Sequence, residues 1–417
     1  MIQLHPYQRP AHDALVTILS RHRSALDASD LGTGKTYVAV KVAETLGLCP
    51  MVVCPKAVVP AWETALRASS VSNWSVGSWE YLRTKQLPVW RNFWIFDEVQ
   101  KAKGRTSKNA KLMLAAAKLG KVLCLSATAA SNPLEMYALG AILDLYAPGT
   151  YWSWVKEHGC KKGFFGGMVY QGGVEGMSRI HGKIFPHRGV RLRIADLPDF
   201  PECDTQADIL DIGDPAEEMA AELAEVDQRA ALDKDPENPL TQQTRERERT
   251  ELSKVPLLIE LIEEAADEGK SIAVFANFNS TLRAIAARLK IRSDFYTGEH
   301  LHSREQAKQR FQINELPVLL INIKAGGVGL SLHDLHGGHP RLALICPTFS
   351  VQDYRQALGR IHRNGAKTKA VQKIIFAAGT VEERVAKLLR KKEMNLDALN
   401  DADLVKNQEL DTASACS

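Results

Sequence analysis

Residues Asp30-Leu31-Gly32-Thr33-Gly34-Lys35-Thr36 stand between a short apolar run, Ser24–Ala28, and a helical pattern, Tyr37–Leu46. A strand, a glycine loop and a helix in that order leave few folds open to the chain. Gly32 and Gly34 let successive backbone N–H groups turn inward around phosphate oxygens. The helix N-terminus adds its partial positive charge at the same place. In such a loop Lys35 reaches the β- and γ-phosphates, and Thr36 offers a hydroxyl to Mg²⁺. An ordinary glycine turn would read the same in isolation, so the rest of the chain has to decide.

The rhythm around this loop is that of an α/β protein. Ser24–Ala28, Met51–Cys54, Phe93–Phe96 and Lys121–Leu125 read as buried strands, with helical patterns at Tyr37–Leu46, Val59–Leu66 and Lys108–Leu119 between them. Alternation of this kind predicts a parallel sheet covered on both faces. The rhythm stops between Pro148 and Asp196, a stretch that is aromatic, glycine-rich and basic. A second α/β series starts near Pro256. Its strands read as Ser271–Phe278, a short one ending at Tyr296, Val318–Ile323, Leu342–Cys346 and Val371–Phe376, and helix Val381–Leu399 closes it. The expected domains are 1–147, an insertion and linker 148–255, a second lobe 256–400 and a flexible tail 401–417.

Charge and cysteine content narrow the setting. Residues 1–196 carry 25 basic and 13 acidic side chains, a net +12, which suits a polyanionic partner. Residues 197–256 carry 6 basic and 17 acidic side chains, a net −11. That split raises the expectation that the acidic segment shields the basic surface. Seven cysteines are scattered with none spaced as C-x-x-C, so reduced thiols and no structural zinc are expected. No apolar run approaches membrane-spanning length and the start has no signal-peptide pattern.

Three further stretches carry chemistry. Phe93-Trp94-Ile95-Phe96-Asp97-Glu98 is an apolar strand ending in two acids, at the end of a parallel strand where α/β ligands bind. Asp97 is assigned to Mg²⁺, with Thr36, and Glu98 to the attacking water. Lys121–Leu125 ends in Ser126-Ala127-Thr128, hydroxyls that either bridge the acid pair or cap the next helix. Gln356-Ala357-Leu358-Gly359-Arg360-Ile361-His362-Arg363 places two arginines three apart, which predicts one helix face. A guanidinium aimed at a γ-phosphate offsets charge developing during transfer.

Taken together these residues resemble a superfamily-two helicase motor, specifically the Swi/Snf-type DNA translocases. The likeness runs from Leu4 to about Asp403, in motif order. Pro6-Tyr7-Gln8 resembles the adenine-reading motif, with Gln8 on the base. Asp30 to Thr36 resembles the phosphate loop, and Asp97-Glu98-Val99-Gln100 the acid box. Val52 to Lys56 with Pro60-Ala61-Trp62, and Ser78-Trp79-Glu80-Tyr81-Leu82, resemble motifs that track a DNA backbone. Ser126-Ala127-Thr128, Phe275-Ala276-Asn277-Phe278, Lys324 to Leu332, Gln356 to Gly365, and Gly379-Thr380-Val381-Glu382-Glu383-Arg384 are similar to the later motifs in turn.

The resemblance implies an α/β fold of two tandem RecA-like lobes with parallel sheets, plus a helical family-specific insertion between them. It implies ATP and Mg²⁺, with Gln8, Asp30, Gly32, Thr33, Gly34, Lys35, Thr36, Gly329, Arg360 and Arg363 on the nucleotide. Lys35, Asp97, Glu98, Arg360 and Arg363 would carry catalysis. Lys56, Ser78, Asn277, Asn322 and Lys324 would contact DNA phosphates, a sequence-tolerant mode weakened by salt.

Departures stand at Gln100, where the box usually has His, at Asn322, where a hydroxyl is usual, and at Ala366, where Gln is usual. The expected activity is an ATP-driven double-stranded DNA translocase on forks, branched DNA or protein–DNA complexes, acting as a monomer, with or without a protein partner. A strand-separating helicase, a nucleotide-gated binding module and a motor subunit of a restriction or remodelling complex share the motifs and stay open. The fork-remodelling, annealing-helicase branch is the nearest in pattern. A cytoplasmic setting in a bacterial or phage-infected cell is expected, or the nucleus of a eukaryote.

Overall fold

The computed structural model describes residues 2–147, 149–164, 166–185, 187–197, 199–212, 219–231, 238–326 and 330–401. It divides into two compact units, Met1–Pro198 with Lys391–Ser417, and Asp199–Arg390.

The first unit holds strands β1 (Ser24–Asp27), β2 (Pro50–Cys54), β3 (Ser75–Ser78), β4 (Phe93–Asp97) and β5 (Lys121–Leu125). A hairpin, β6 (Cys160–Lys162) and β7 (Met168–Tyr170), and a short strand β8 (Gly189–Val190) follow. The main sheet runs β3-β2-β4-β5-β1-β8 with every pairing parallel. Its central strands are apolar on both faces because both are covered. In β4, Phe93 and Ile95 enter one core with helices Arg9–Arg21, Lys35–Thr45 and Val59–Arg67. Trp94 and Phe96 enter the other, with helix Lys108–Leu119. Ser107 starts that helix by accepting a bond from the Ala110 N–H at 3.1 Å.

The second unit repeats the plan. Its strands are β9 (Cys203–Leu210), β10 (Ser271–Ala276), β11 (Ser293–Tyr296), β12 (Val318–Asn322), β13 (Arg341–Ile345) and β14 (Ala370–Ala377). They run β11-β12-β10-β13-β14-β9, again all parallel. The two tandem RecA-like lobes expected from the motifs are thus present.

Residues 148–255 are shared out. Helices Tyr151–Glu157 and Gly173–Ile184, with the hairpin between them and β8 after them, belong to the first unit. Strand β9 and helices Ala220–Ala231 and Pro239–Ser253 belong to the second, where Met219, Leu223, Val226 and Leu252 join its core. The described part of the acidic segment is therefore built into a lobe, with Arg229–Glu248, Arg249–Asp227 and Arg288–Glu222 ion pairs along it. The last helix, Val381–Asn400, is counted with the second unit to Arg390 and with the first from Lys391. Of the expected tail, 402–417 lies outside the described residues. Among the described residues, no helix is long and apolar enough to cross a membrane.

One ionic contact lies inside the second core. The Lys254 ammonium, 0% exposed, donates to both Glu382 carboxylate oxygens at 2.7 and 2.9 Å and to the Ile375 carbonyl at 3.0 Å. Glu382 also accepts from the Ala377 N–H at 2.9 Å. The pair fastens the junction between helices Pro239–Ser253 and Val255–Asp267 to the end of β14. Removing one partner leaves a buried charge alone, which costs about 3–5 kcal/mol, whereas replacing both by apolar groups costs far less. Lys254→Met is therefore expected to lower the urea midpoint sharply, and Lys254→Met with Glu382→Leu to recover most of the loss. Equal loss in single and double variants would show that the pair does not act as a unit.

Candidate active site

Strand order places the candidate groups together. β5 lies between β1 and β4, and Leu125 pairs with both Asp27 and Asp97. The ends of β1, β5 and β4 are therefore level, and the phosphate loop, Ser126 and the acid pair leave the sheet side by side. Gly32 and Gly34 adopt φ of 84° and 85°. A Cβ on Gly34 would also lie 2.2 Å from the Gln8 amide nitrogen, so this position requires glycine. Helix Lys35–Thr45 starts at once, with Thr36 half-buried in its first turn.

The Gln8 side chain is tied into the loop. Its Nε2 donates to the Thr33 carbonyl at 2.7 Å, and its Oε1 accepts from the His5 N–H at 2.9 Å. The Thr33 hydroxyl donates to the Asp30 carbonyl at 2.8 Å. Lys35 Nζ donates to the carbonyls of Ser29 and Asp30 at 2.7 and 2.9 Å. Burial lowers its pKa, opposed by the carboxylates of Asp27, Glu98, Asp30 and Asp97 in that order. Asp27 is a carboxylate the sequence reading passed over inside an apolar run. It is 1% exposed, accepts from the Ser29 N–H at 3.0 Å, and is pushed up by burial.

Two tryptophans hold the acid box. The Trp62 indole donates to Asp97 Oδ2 and the Trp79 indole to the Asp97 carbonyl, both at 2.9 Å. Glu98 follows with φ of 57°, a left-handed turn that sends its side chain away from the strand line. The Gln100 amide donates to Glu98 Oε2 and accepts from the Ser126 hydroxyl at 2.7 Å. Ser126 also accepts from the Thr128 N–H at 3.0 Å. Of the two readings of these hydroxyls, the bridge to the acid pair is the one formed, and Gln100 is its middle.

Arg191 is a residue that sequence reasoning saw only as part of a basic run. It is clamped by Asp401, whose two oxygens accept from Nε and Nη2 at 2.9 Å each. Its Nη1 reaches the Ala28 carbonyl and Asp30 Oδ1, both at 2.7 Å. Asp30 Oδ2 accepts from the Ile194 N–H at 2.9 Å. The segment after β8 thus zips along the entry to the phosphate loop, with the Asp30 N–H on the Leu192 carbonyl at 2.9 Å.

The described donor set fits Mg²⁺ with a nucleotide. It offers hard oxygens, one hydroxyl and one or two carboxylates, which is what Mg²⁺ takes when phosphates and waters complete its shell. The half-buried Lys35 cation beside left-handed glycines suits a polyphosphate. Among the described residues no group of three or more His, Cys, Asp or Glu could form an all-protein metal cage.

The remaining expected site residues lie as follows. Arg360 and Arg363 are in the second unit, but not on a helix face. Helix Val351–Leu358 ends at Gly359, with Arg360 in the turn beyond it and Arg363 in the irregular segment that follows. Arg360 is 3% exposed and donates to the Leu330 carbonyl at 3.2 Å. Arg363 donates to the Gly359 carbonyl at 3.0 Å and the Ser331 hydroxyl at 2.8 Å. Gly329 lies outside the described residues. Lys56 and Lys324 are exposed, while Ser78 is buried and accepts from the Tyr81 N–H as a helix cap at 3.2 Å. Asn277 donates to Glu251 at 2.7 Å and the Pro347 carbonyl at 2.8 Å, and Asn322 to the Asn277 carbonyl at 3.2 Å and Asn279 at 2.9 Å. Both amides are thus engaged within their own lobe, and Glu251, unremarked in the sequence, is the buried acceptor at the centre.

Comparison with known proteins adds four findings. Residues 253–365 match the helicase conserved C-terminal domain. A protein of Acanthamoeba polyphaga mimivirus, with the provisional name of an ATP-dependent RNA helicase, is 30% identical over 96% of this chain and 84% of its own length. The mouse DNA excision repair protein ERCC-6-like is 34% identical over 32% of this chain, and the match spans only 11% of that protein. A solved Sulfolobus solfataricus SWI2/SNF2 ATPase core in complex with dsDNA aligns over 98% of this chain and 96% of its own, at 17% identity and a TM-score of 0.39, too slight a likeness to carry weight.

The acid box has a pH signature. Burial, then the charge of Glu98, pushes the Asp97 carboxyl up to about 7 from an ordinary 3.8, against the Trp62 bond and Lys35. The folded chain then keeps a proton that the unfolded chain releases, so stability falls as pH rises from about 4 to about 7. Without nucleotide or metal, Asp97→Asn is expected to melt a few degrees above the wild type near pH 8 and level with it near pH 4, at about 2–4 °C per kcal/mol. A gap that does not change with pH would contradict this titration.

Proposed function

The chain belongs to the superfamily-two helicases of Swi/Snf type, and from that premise we propose that it is an ATP-driven translocase on double-stranded DNA, remodelling forks, branched DNA or protein–DNA complexes. That it hydrolyses ATP and works as a helicase-like motor on nucleic acid follows from the family. The proposal is the choice of duplex DNA and of remodelling. The observation that carries the hydrolytic half is the alignment of phosphate loop, acid pair and Ser126 at three neighbouring strand ends. The choice of DNA is supported by the net +12 of residues 1–196, by the exposed Lys56 and Lys324, and by motifs similar to backbone-tracking ones.

In this mechanism Lys35 holds the terminal phosphates, and Gln8, beside the loop, meets the base. Thr36 and Asp97 would hold Mg²⁺, which offsets phosphate charge when bound. Glu98 orients the attacking water and takes its proton. Gln100 and Ser126 fix the carboxylate that does so. Arg360 and Arg363 offset charge on the γ-phosphate, a contribution of about 10³–10⁵ in rate for such arginines. Lys56, Ser78, Asn277, Asn322 and Lys324 are proposed as DNA contacts. Asn277 and Asn322 would have to exchange internal bonds to serve.

Steady-state ATPase tests the reading, with no nucleic acid, blunt duplex DNA, a fork, single strands and duplex RNA compared at fixed salt. Stimulation by blunt duplex DNA is expected, with a further rise on the fork. Lys35→Ala and Glu98→Gln are expected to lose at least about 10²-fold of the stimulated rate. Stimulation by RNA alone, in line with the mimivirus relative's name, would overturn the DNA reading. Stimulation by single-stranded DNA alone would replace translocation on duplex with strand separation.

A further inference from the structure

Both oxygens of the acid that opens the phosphate loop are already engaged. Asp30 Oδ1 pairs with Arg191 Nη1 at 2.7 Å, and Oδ2 accepts from the Ile194 N–H at 2.9 Å. The Asp30 side chain stays 27% exposed, so water has not been stripped from it. The same guanidinium donates to the Ala28 carbonyl at 2.7 Å and, through Nε and Nη2, to Asp401 at 2.9 Å each. Asp401 also has Arg193 at 4.0 Å. Among the described residues, the ion pair to Asp30 comes from Arg191.

Charge at this entry is crowded. Lys35 Nζ rests on the Ser29 and Asp30 carbonyls, in the field of the Asp27, Glu98, Asp30 and Asp97 carboxylates. One ammonium cannot offset four acids and a polyphosphate together. Asp97 and Glu98 are assigned to the metal and the water, and Asp27 is 1% exposed beneath the loop. Asp30 is the acid with neither a metal nor deep burial to mask it. We propose that Arg191 is the counter-charge that lets an acid stand at the mouth of a phosphate site. It cancels Asp30, Asp401 aims it, and the phosphates of a nucleotide then bind beside Lys35 without meeting a bare carboxylate. Arg191 and Asp30 are thus positioning residues that act on the nucleotide through charge. The inference rests on the proposed seat of the phosphates at Lys35. A unit charge within about 8 Å of another changes binding by about tenfold or more at the effective dielectric of a protein surface.

The test reads the equilibrium affinity of the full chain for fluorescent ATP, by anisotropy at low and at high salt. Arg191→Gln is expected to bind about tenfold more weakly at low salt, with a smaller loss at high salt. Adding Asp30→Asn to Arg191→Gln is expected to bring affinity back to within about threefold of the wild type, because the bare charge is gone. Arg191→Lys keeps the charge and loses the planar fork, and is expected to stay within about threefold. It decides the matter if Arg191→Gln does not fold. Wild-type affinity in Arg191→Gln, a loss that Asp30→Asn fails to reverse, or a loss in Arg191→Lys equal to that in Arg191→Gln would each overturn the proposal. Lys35→Ala is measured alongside. Wild-type ATP affinity in Lys35→Ala would remove the phosphate seat, and the inference with it. Weak binding by Lys35→Ala beside undiminished binding by Arg191→Gln would remove the counter-charge alone.

Discussion

A carboxylate removed from water is a liability unless its surroundings are arranged around it, and the candidate catalytic edge of the first lobe depends on how Asp97 is kept. Burial alone would protonate it. Two indole N–H groups, from Trp62 and Trp79, fix one carboxylate oxygen and the backbone carbonyl behind it. Both rings are also among the largest fully buried side chains of the chain. The helix Val59–Arg67 and the turn Trp79–Leu82 are thus placed both by packing and by the acid they hold. Lys35 faces the complementary problem, a half-buried ammonium among carboxylates. Acid and base are each poised by the same dry environment, so a bound polyphosphate and its metal would relieve both at once.

The second lobe uses buried charge differently. Lys254 and Glu382 are mutually satisfied and also bonded to the backbone of β14. Glu251 is satisfied by two backbone N–H groups and the Asn277 amide. These are closed networks, with little left for an incoming ligand, and they fix where the strand ends sit. The second lobe's buried charges set register, whereas the first lobe's are those of the proposed chemistry.

Much of this was legible in the sequence because parallel strands buried on both faces announce themselves as apolar runs. Lys121–Leu125 and Lys108–Leu119 are found with the boundaries their pattern predicts, and the phosphate loop and acid box come together as strand order requires. Strands without that apolarity were not legible. Ser75–Ser78 is small and polar, Gly189–Val190 is too short to show a period, and Cys203–Leu210 is mostly exposed, Asp204 included, and depends on its ladder with β14. The arginine pair misled because three-residue spacing suggests a helix face, while Gly359 ends the helix one residue earlier. Arg191 and Asp401 were hidden for another reason. Their bond spans 210 positions, and nothing local marks either partner.

That long-range bond makes the phosphate loop answerable to a distant part of the chain. Arg191 grips the Ala28 carbonyl and Asp30 with one side of its guanidinium and Asp401 with the other. Asp401 directly follows the helix that starts at Val381, near the end of the second lobe's sheet strand β14. Residues 391–401 are therefore joined, through one planar side chain, to the backbone that enters the phosphate loop. The guanidinium acts as a rivet, so a cut of the chain just before residue 401 would remove one of the clamps on the entry to the phosphate loop.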